Sequence, residues 1–184
     1  LARRHNMNTT ANKITVLRII LVPVFMVLLY LEHSYWALAI YIIACISDFV
    51  DGKIARKYNQ VTDFGKFMDP LADKMLVLAA MCYFVETGLI PGWVVAVVLL
   101  REFGVSGLRL LAVEQGIVIA AAWSGKIKTG VTMVALGILM LADQPWFPAP
   151  DLIAVICWLL ILVTTLYSGI EYFAKNIGVF KRCP

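Results

Sequence analysis

The chain has 184 residues, of which 61% are hydrophobic and only 15% are charged, with a formal net charge of +4. Soluble domains usually have about 25% charged residues, so most of this surface is expected to face lipid rather than water. The composition therefore excludes an ordinary soluble enzyme and leaves no room for a separate soluble domain, and we expect no nucleic-acid partner.

The two ends of the chain are predicted to be short tails around one membrane domain. The opening LARRHNMNTT lacks the apolar stretch and cleavage site of a signal peptide. We expect Met7 to be a natural start, with residues 1–6 left over from expression. The expected organisation is a tail over residues 1–11, a transmembrane domain over 12–178 and a tail over 179–184.

Apolar runs separated by polar residues, proline or glycine predict an all-α chain with six transmembrane helices. In chain order, the predicted helices cover residues 14–32, 35–56, 65–88, 92–114, 124–142 and 152–174. The loops after the first, third and fifth helices contain no lysine or arginine, whereas the other two loops and both termini are basic. The positive-inside rule therefore places both termini and the basic loops in the cytoplasm.

Four aspartates lie near the predicted cytoplasmic ends of the second and third helices, within SDFVDGKIARKYNQVTDFGKFMDPLADK. Asp48 and Asp51 have i,i+3 spacing, and Asp69 and Asp73 have i,i+4 spacing, so each pair lies on one face of its helix. The connection KYNQVTDF allows the two pairs to meet. Converging carboxylates repel one another unless cations neutralise them, and their hard oxygens suit Mg²⁺, Mn²⁺ or Ca²⁺. The pattern predicts a site for two divalent ions that could promote phosphoryl transfer.

A simpler interpretation is that these acids form salt bridges within a solvated hairpin at the membrane surface. The same segment supplies four cations for such pairs: Lys53, Arg56, Lys66 and Lys74. The acids alone leave both interpretations open, and the spacing of the whole segment favours the metal site.

The residues and spacing of the whole motif are Asp48-x2-Asp51-Gly52-x2-Ala55-Arg56-x8-Gly65-x3-Asp69-x3-Asp73. This motif resembles the signature of the CDP-alcohol phosphotransferase family. The resemblance implies that the four aspartates hold two Mg²⁺ or Mn²⁺ ions and that Asp73 is also the general base on an acceptor hydroxyl. It further implies that Gly52, Arg56 and Thr62 contact the cytidine diphosphate group of the donor.

The small residues and the arginine of the motif suit contact with a nucleotide. Gly52 and Ala55 leave the backbone of the second helix open to close approach, and Gly65 does so at the start of the third. Arg56 has a planar fork of donors that suits a pyrophosphate. We therefore expect the donor to bind along these residues.

Four cations of the fourth and fifth helices are candidates for binding the acceptor. Arg101 and Arg109 are eight residues apart and share one face of a helix, while Lys126 and Lys128 lie at the cytoplasmic start of the next helix. Arginine and lysine bind phosphate through charge-assisted hydrogen bonds, so the pattern predicts a phosphorylated acceptor. The alternative is that Arg101 pairs with Glu102 or another acid of a helix, and that the lysines anchor their helix to lipid headgroups.

The segments NKITVLR, REFGVSGLRLLAVEQG and GKIKT resemble the bacterial phosphatidylglycerophosphate synthases within that family, and the likeness extends from Asn12 to Lys181. It implies transfer of a phosphatidyl group from CDP-diacylglycerol to glycerol 3-phosphate, giving phosphatidylglycerol phosphate and CMP. The family also implies a homodimer among the phospholipids of a bacterial plasma membrane. The positive-inside orientation makes its active site face the cytoplasm.

Polar residues at the start of the first helix are further candidates for contact with the donor. Asn12, Thr15 and Arg18 could hold its diphosphate or glycerol backbone. The alternative is that Asn12 caps the helix and that Arg18 extends to the lipid–water boundary.

Other functions stay open from the sequence alone. An enzyme of the same family could use serine or inositol phosphate, and the cationic face disfavours only serine. An intramembrane prenyltransferase would normally carry two separate acid motifs, whereas this chain has one. A divalent-cation transporter would share the metal site but commonly places it near the membrane midplane, and it would leave the Gly-x-x-Ala-Arg spacing unexplained.

Overall fold

The computed structural model describes residues 10–57, 63–117, 119 and 122–180. Side chains are described throughout these ranges except at residues 10–15, 48–57, 63–70, 73 and 180. All regular structure in the described ranges is helical: α1 (Thr10–Tyr30), α2 (Ser34–Lys57), α3 (Asp63–Glu86), α4 (Gly92–Glu114), α5 (Trp123–Ala142), α6 (Pro150–Lys175) and α7 (Ile177–Phe180).

The all-α prediction is confirmed, and each of the six predicted helices corresponds to one of the long helices α1 to α6. The observed range of α4 is identical to the predicted one. The short α7 was not predicted, because a single helical turn is too short to produce a periodic apolar pattern.

Two helices, α5 and α6, are each long and apolar enough to cross a membrane. Shorter apolar segments lie in α1 and α2, at Val16–Tyr30 and Ser34–Ser47. Large apolar side chains are exposed along α6, including those of Leu152, Leu160 and Ile170. Such continuous apolar surface is rare on soluble monomers and indicates insertion into lipid.

The chain forms two compact units, of which the first contains Leu1–Tyr83 together with Asp143–Trp146. In this unit α1 packs against α2, and the rings of the buried residues Phe25 and Tyr41 lie 5.9 Å apart. The Tyr83 hydroxyl donates a hydrogen bond to Asp143, at 3.1 Å. This bond attaches the short second segment of the unit to α3.

The second unit contains Phe84–Ala142 together with Phe147–Pro184. Its central helix is α6, which packs against α4, α5 and α7. One cluster of buried apolar residues joins three of these helices: Val105, Leu108, Ala112, Tyr172 and Val179. The packing fixes the faces that α4 and α6 present to each other.

A glycine ends α4 at a defined position. Gly116 adopts φ +71°, a left-handed conformation that glycine takes without steric cost. Its N–H donates to the carbonyl of Val113, at 3.0 Å, and the next N–H, of Ile117, donates to Ala112, at 2.8 Å. This paired arrangement is a Schellman motif, which satisfies the last carbonyls of the helix.

Candidate active site

The four signature aspartates lie in two helices of the first unit. Asp48 and Asp51 belong to the last ten residues of α2, and Asp69 and Asp73 belong to the first half of α3. Because both segments are continuous α-helix, each pair occupies one side of its helix. Their side chains lie outside the described residues, so convergence of the two pairs stays a prediction.

The predicted donor-binding residues lie near helix ends of the same unit. The backbone places them in the last two turns of α2, the first turn of α3 and the first two turns of α1: Gly52, Ala55, Arg56, Gly65, Asn12 and Thr15. Thr62 lies outside the described residues. Arg18 is only 1% exposed, so it does not extend to the surface as the anchoring alternative requires. A buried guanidinium favours a place among polar or anionic groups.

Arg101 lies where three helices of the second unit meet. Its Nη1 donates to Glu102 Oε1 of α4, at 2.8 Å, and its Nη2 donates to Ser168 Oγ of α6, at 2.5 Å. Two glycines leave space for the side chain, because a Cβ at Gly125 would lie 3.4 Å from Nη2 and one at Gly169 would lie 3.2 Å from Cγ. The guanidinium is therefore held from all three helices.

Lys128 joins the same cluster from α5. Its Nζ donates to Glu102 Oε1, at 2.9 Å, and its side chain is only 6% exposed. A single carboxylate oxygen thus accepts hydrogen bonds from both Arg101 and Lys128. The predicted pairing of Arg101 with Glu102 is therefore present, and Glu102 also pairs with a second cation, Lys128.

Arg109 lies two turns further along α4. Its Nε donates to the hydroxyl of Tyr172, at 2.9 Å, and its guanidinium carbon lies 5.6 Å from the centre of that ring. Ser168 and Tyr172 are one turn apart on α6, so Arg101 and Arg109 contact the same face of that helix.

Lys126 has a different environment from Lys128. It is exposed, and its Nζ lies 4.7 Å from the ring centre of Trp123, which is 76% exposed. An exposed lysine stacked on an exposed tryptophan is typical of a membrane boundary. The structure brings Lys128 to Glu102 but leaves Lys126 outside this cluster, which favours the anchoring alternative for Lys126.

Sequence reasoning did not identify two features of this region. The sequence predicts Glu102 only as a partner of Arg101, whereas in the structure it bridges Arg101 and Lys128. Ser168 is the second feature, and its signal in the sequence is a serine followed by a glycine in the apolar α6, which permits close approach by a polar group.

The chemistry of the signature aspartates fits the predicted metals, because hard carboxylate oxygens suit Mg²⁺ or Mn²⁺ rather than metals that prefer sulfur. Among the residues whose side chains are described, no cluster of three or more His, Cys, Asp or Glu could hold a metal.

The family model for CDP-alcohol phosphatidyltransferases matches residues 8–167, which include the whole signature and the cationic cluster of α4 and α5. The chain therefore belongs to the CDP-alcohol phosphatidyltransferase family, as its signature predicted. Members of this family generally depend on divalent cations.

Curated relatives resemble the chain over most of its length. A CDP-diacylglycerol–glycerol-3-phosphate 3-phosphatidyltransferase of Bacillus subtilis (strain 168) is 42% identical, covering 92% of this chain and 96% of its own. A probable phosphatidylglycerophosphate synthase of Mycobacterium tuberculosis (strain CDC 1551 / Oshkosh) is 39% identical, covering 96% and 86%. A CDP-diacylglycerol–glycerol-3-phosphate 3-phosphatidyltransferase of Salmonella paratyphi A (strain ATCC 9150 / SARB42) is 36% identical, and the match covers 90% of this chain and 93% of that protein. The predicted resemblance to the bacterial synthases is confirmed.

Proposed function

We propose that the chain transfers the phosphatidyl group of CDP-diacylglycerol to glycerol 3-phosphate, giving phosphatidylglycerol phosphate and CMP. The observation that carries this proposal is the 36–42% identity, over nine-tenths or more of the chain, to bacterial proteins named for that transfer. The cluster of Arg101, Lys128 and Glu102 supports it, because two cations held close together suit an acceptor that carries a phosphate.

The four signature aspartates would hold two Mg²⁺ or Mn²⁺ ions: Asp48, Asp51, Asp69 and Asp73. Such ions, when bound, neutralise a diphosphate and polarise the phosphorus under attack. Asp73 accepts the proton of the acceptor hydroxyl, since an alcohol is a poor nucleophile at neutral pH. A bond forms between that oxygen and the β-phosphorus of the donor, and the bond to the α-phosphate oxygen breaks to release CMP.

The donor would be held by the signature residues of α2 and α3 together with the start of α1. Gly52, Ala55 and Gly65 permit close approach of the nucleotide. Arg56 would contact the diphosphate through its planar fork of donors. The remaining donor contacts are assigned to Thr62, Asn12 and Thr15.

The acceptor phosphate would bind to the cations of α4 and α5. Arg101 and Lys128 form the inner part of this site, and Arg109 extends it by two turns along the face of α4 that contacts α6. Lys126 adds positive charge near the membrane boundary, where it favours approach of an anionic substrate.

The enzyme would span a bacterial plasma membrane six times, with both termini and the active site on the cytoplasmic side. The basic residues of the termini and of two loops support this orientation. Residues 12–178 would form the membrane domain between tails 1–11 and 179–184, and two copies would form a homodimer.

Release of CMP tests this function. The purified full chain would be incubated in detergent with CDP-diacylglycerol and Mg²⁺, and with glycerol 3-phosphate, inositol phosphate, serine or no acceptor. We expect CMP only with glycerol 3-phosphate, and none when EDTA removes the metal. Release with inositol phosphate alone would retain the family reaction and replace the acceptor, whereas no release with any acceptor would contradict the proposal and favour transport of divalent cations.

A further inference from the structure

We propose that Glu102 and Ser168 are positioning residues that hold Arg101 and Lys128 as one phosphate-binding pair. This inference rests on the proposed function, because it assigns the pair to the phosphate of the acceptor. It adds a role for two residues that belong to neither the signature nor the predicted set of cations.

Glu102 determines the distance between the two cations. Its Oε1 accepts hydrogen bonds from Arg101 Nη1, at 2.8 Å, and from Lys128 Nζ, at 2.9 Å. The two nitrogens are therefore within two hydrogen-bond lengths of each other. Like charges in a region of low dielectric constant repel strongly, and a carboxylate that accepts hydrogen bonds from both offsets that repulsion.

Ser168 and two glycines determine the orientation of the guanidinium. The serine Oγ accepts from Nη2, while Gly125 and Gly169 lie against Nη2 and Cγ of Arg101. The Nε of this arginine is buried and has no hydrogen-bond partner among the described residues. A buried donor without a partner is costly, and an oxygen of a bound phosphate could satisfy it.

The same geometry argues that Glu102 supports phosphate binding rather than competes with it. With the carboxylate in place, the two cations stay close enough to contact one phosphate group. Without it, the cations would separate, and the acceptor would have to bring them together again. Loss of Glu102 should therefore weaken acceptor binding although it removes a negative charge.

The test compares Glu102→Gln and Ser168→Ala with wild type in the full-length protein. We expect Glu102→Gln to raise KM for glycerol 3-phosphate about tenfold, because it weakens hydrogen bonds between charged groups. Ser168→Ala, which removes a single acceptor, should raise it about threefold. KM for CDP-diacylglycerol should stay near the wild-type value in both variants. Glu114→Gln, the same substitution at an exposed position of α4, serves as the matched control and should change neither constant.

An unchanged KM for glycerol 3-phosphate in Glu102→Gln, or an equal rise in both KM values, would overturn the proposal. If that variant does not fold, the same criterion applies to Ser168→Ala. The shift in melting temperature produced by glycerol 3-phosphate gives the comparison without turnover, so it distinguishes failure of this inference from failure of the proposed reaction. If the wild type uses inositol phosphate instead, the KM for that acceptor is compared in the same variants.

Discussion

At the scale of single residues, Asp73 is the signature aspartate with two proposed roles. It would be a metal ligand and also the base that accepts the proton of the acceptor hydroxyl. Asp73→Asn preserves the shape of the side chain and removes its charge and basicity. We expect turnover to fall at least about 100-fold, because general base catalysis contributes at least that much. Part of the donor affinity should persist, since three aspartates remain.

Single-turnover CMP release and equilibrium binding of CDP-diacylglycerol measure these two effects of Asp73→Asn separately. Asp63→Asn is the matched control, because Asp63 lies in the same segment, at the first position of α3, but outside the signature. Its turnover should be close to that of the wild type. Normal turnover in the Asp73 variant would count against its role as the base.

Arg109 is predicted to act on the acceptor rather than on the donor. Arg109→Ala removes the cation that contacts Tyr172, and we expect KM for glycerol 3-phosphate to rise about tenfold while KM for CDP-diacylglycerol changes little. Tyr172→Phe keeps the ring and removes the hydroxyl, so its effect should be smaller. Lys175→Ala, at an exposed cation that pairs with Glu171, is the control. Steady-state kinetics with each substrate varied in turn measure the difference, and a larger change for the donor would refute the assignment.

At the scale of helices, two kinds of glycine can be distinguished by what surrounds them. A Cβ at Gly169 would lie 3.2 Å from Arg101 Cγ, whereas a Cβ at Gly130 would meet nothing within 4 Å. We expect Gly169→Ala to displace the arginine and raise KM for glycerol 3-phosphate several-fold. Gly130→Ala should leave both KM values unchanged and stabilise α5 by up to about 1 kcal/mol, because alanine favours helix. Kinetics and melting temperatures of both variants check this contrast, and equal effects of the two substitutions on KM would contradict it.

The helices could be predicted from the sequence because apolar runs and their polar or glycine interruptions are local features. The observed range of α4 was predicted to the residue, and the starts and ends of the other long helices differ by four residues or fewer. The signature is local too, since its eight residues lie within residues 48–73.

The arrangement around Arg101 could not be predicted in the same way. Its contact with Ser168 joins residues 67 apart in the chain, and that of Lys128 with Glu102 joins residues 26 apart. These contacts depend on how α4, α5 and α6 pack, and a single sequence does not specify which faces meet. The same limit explains why the sequence predicts one role for Lys126 and Lys128, although Lys128 contacts Glu102 and Lys126 lies over Trp123.

At the scale of the whole molecule, the predicted orientation in the membrane depends on basic residues distributed over both termini and two loops. The test starts from a variant in which Cys45, Cys82 and Cys157 are replaced, so that Cys183 is a single labelling site at the carboxyl terminus. Adding Thr87→Cys to this variant provides a labelling site in the loop after α3. The positive-inside rule predicts that an impermeant maleimide labels Thr87→Cys in intact cells and labels Cys183 only after lysis. The reverse pattern would place the basic loops and the termini on the outer side.

The central claim is that the phosphatidyl group of CDP-diacylglycerol is transferred to glycerol 3-phosphate. Mass spectrometry of the lipid formed from ¹³C-labelled glycerol 3-phosphate, with CMP measured in the same sample, tests it most directly. The account predicts labelled phosphatidylglycerol phosphate and CMP in equal amounts. Unlabelled phosphatidic acid with CMP would indicate hydrolysis of the donor, and would contradict transfer to this acceptor.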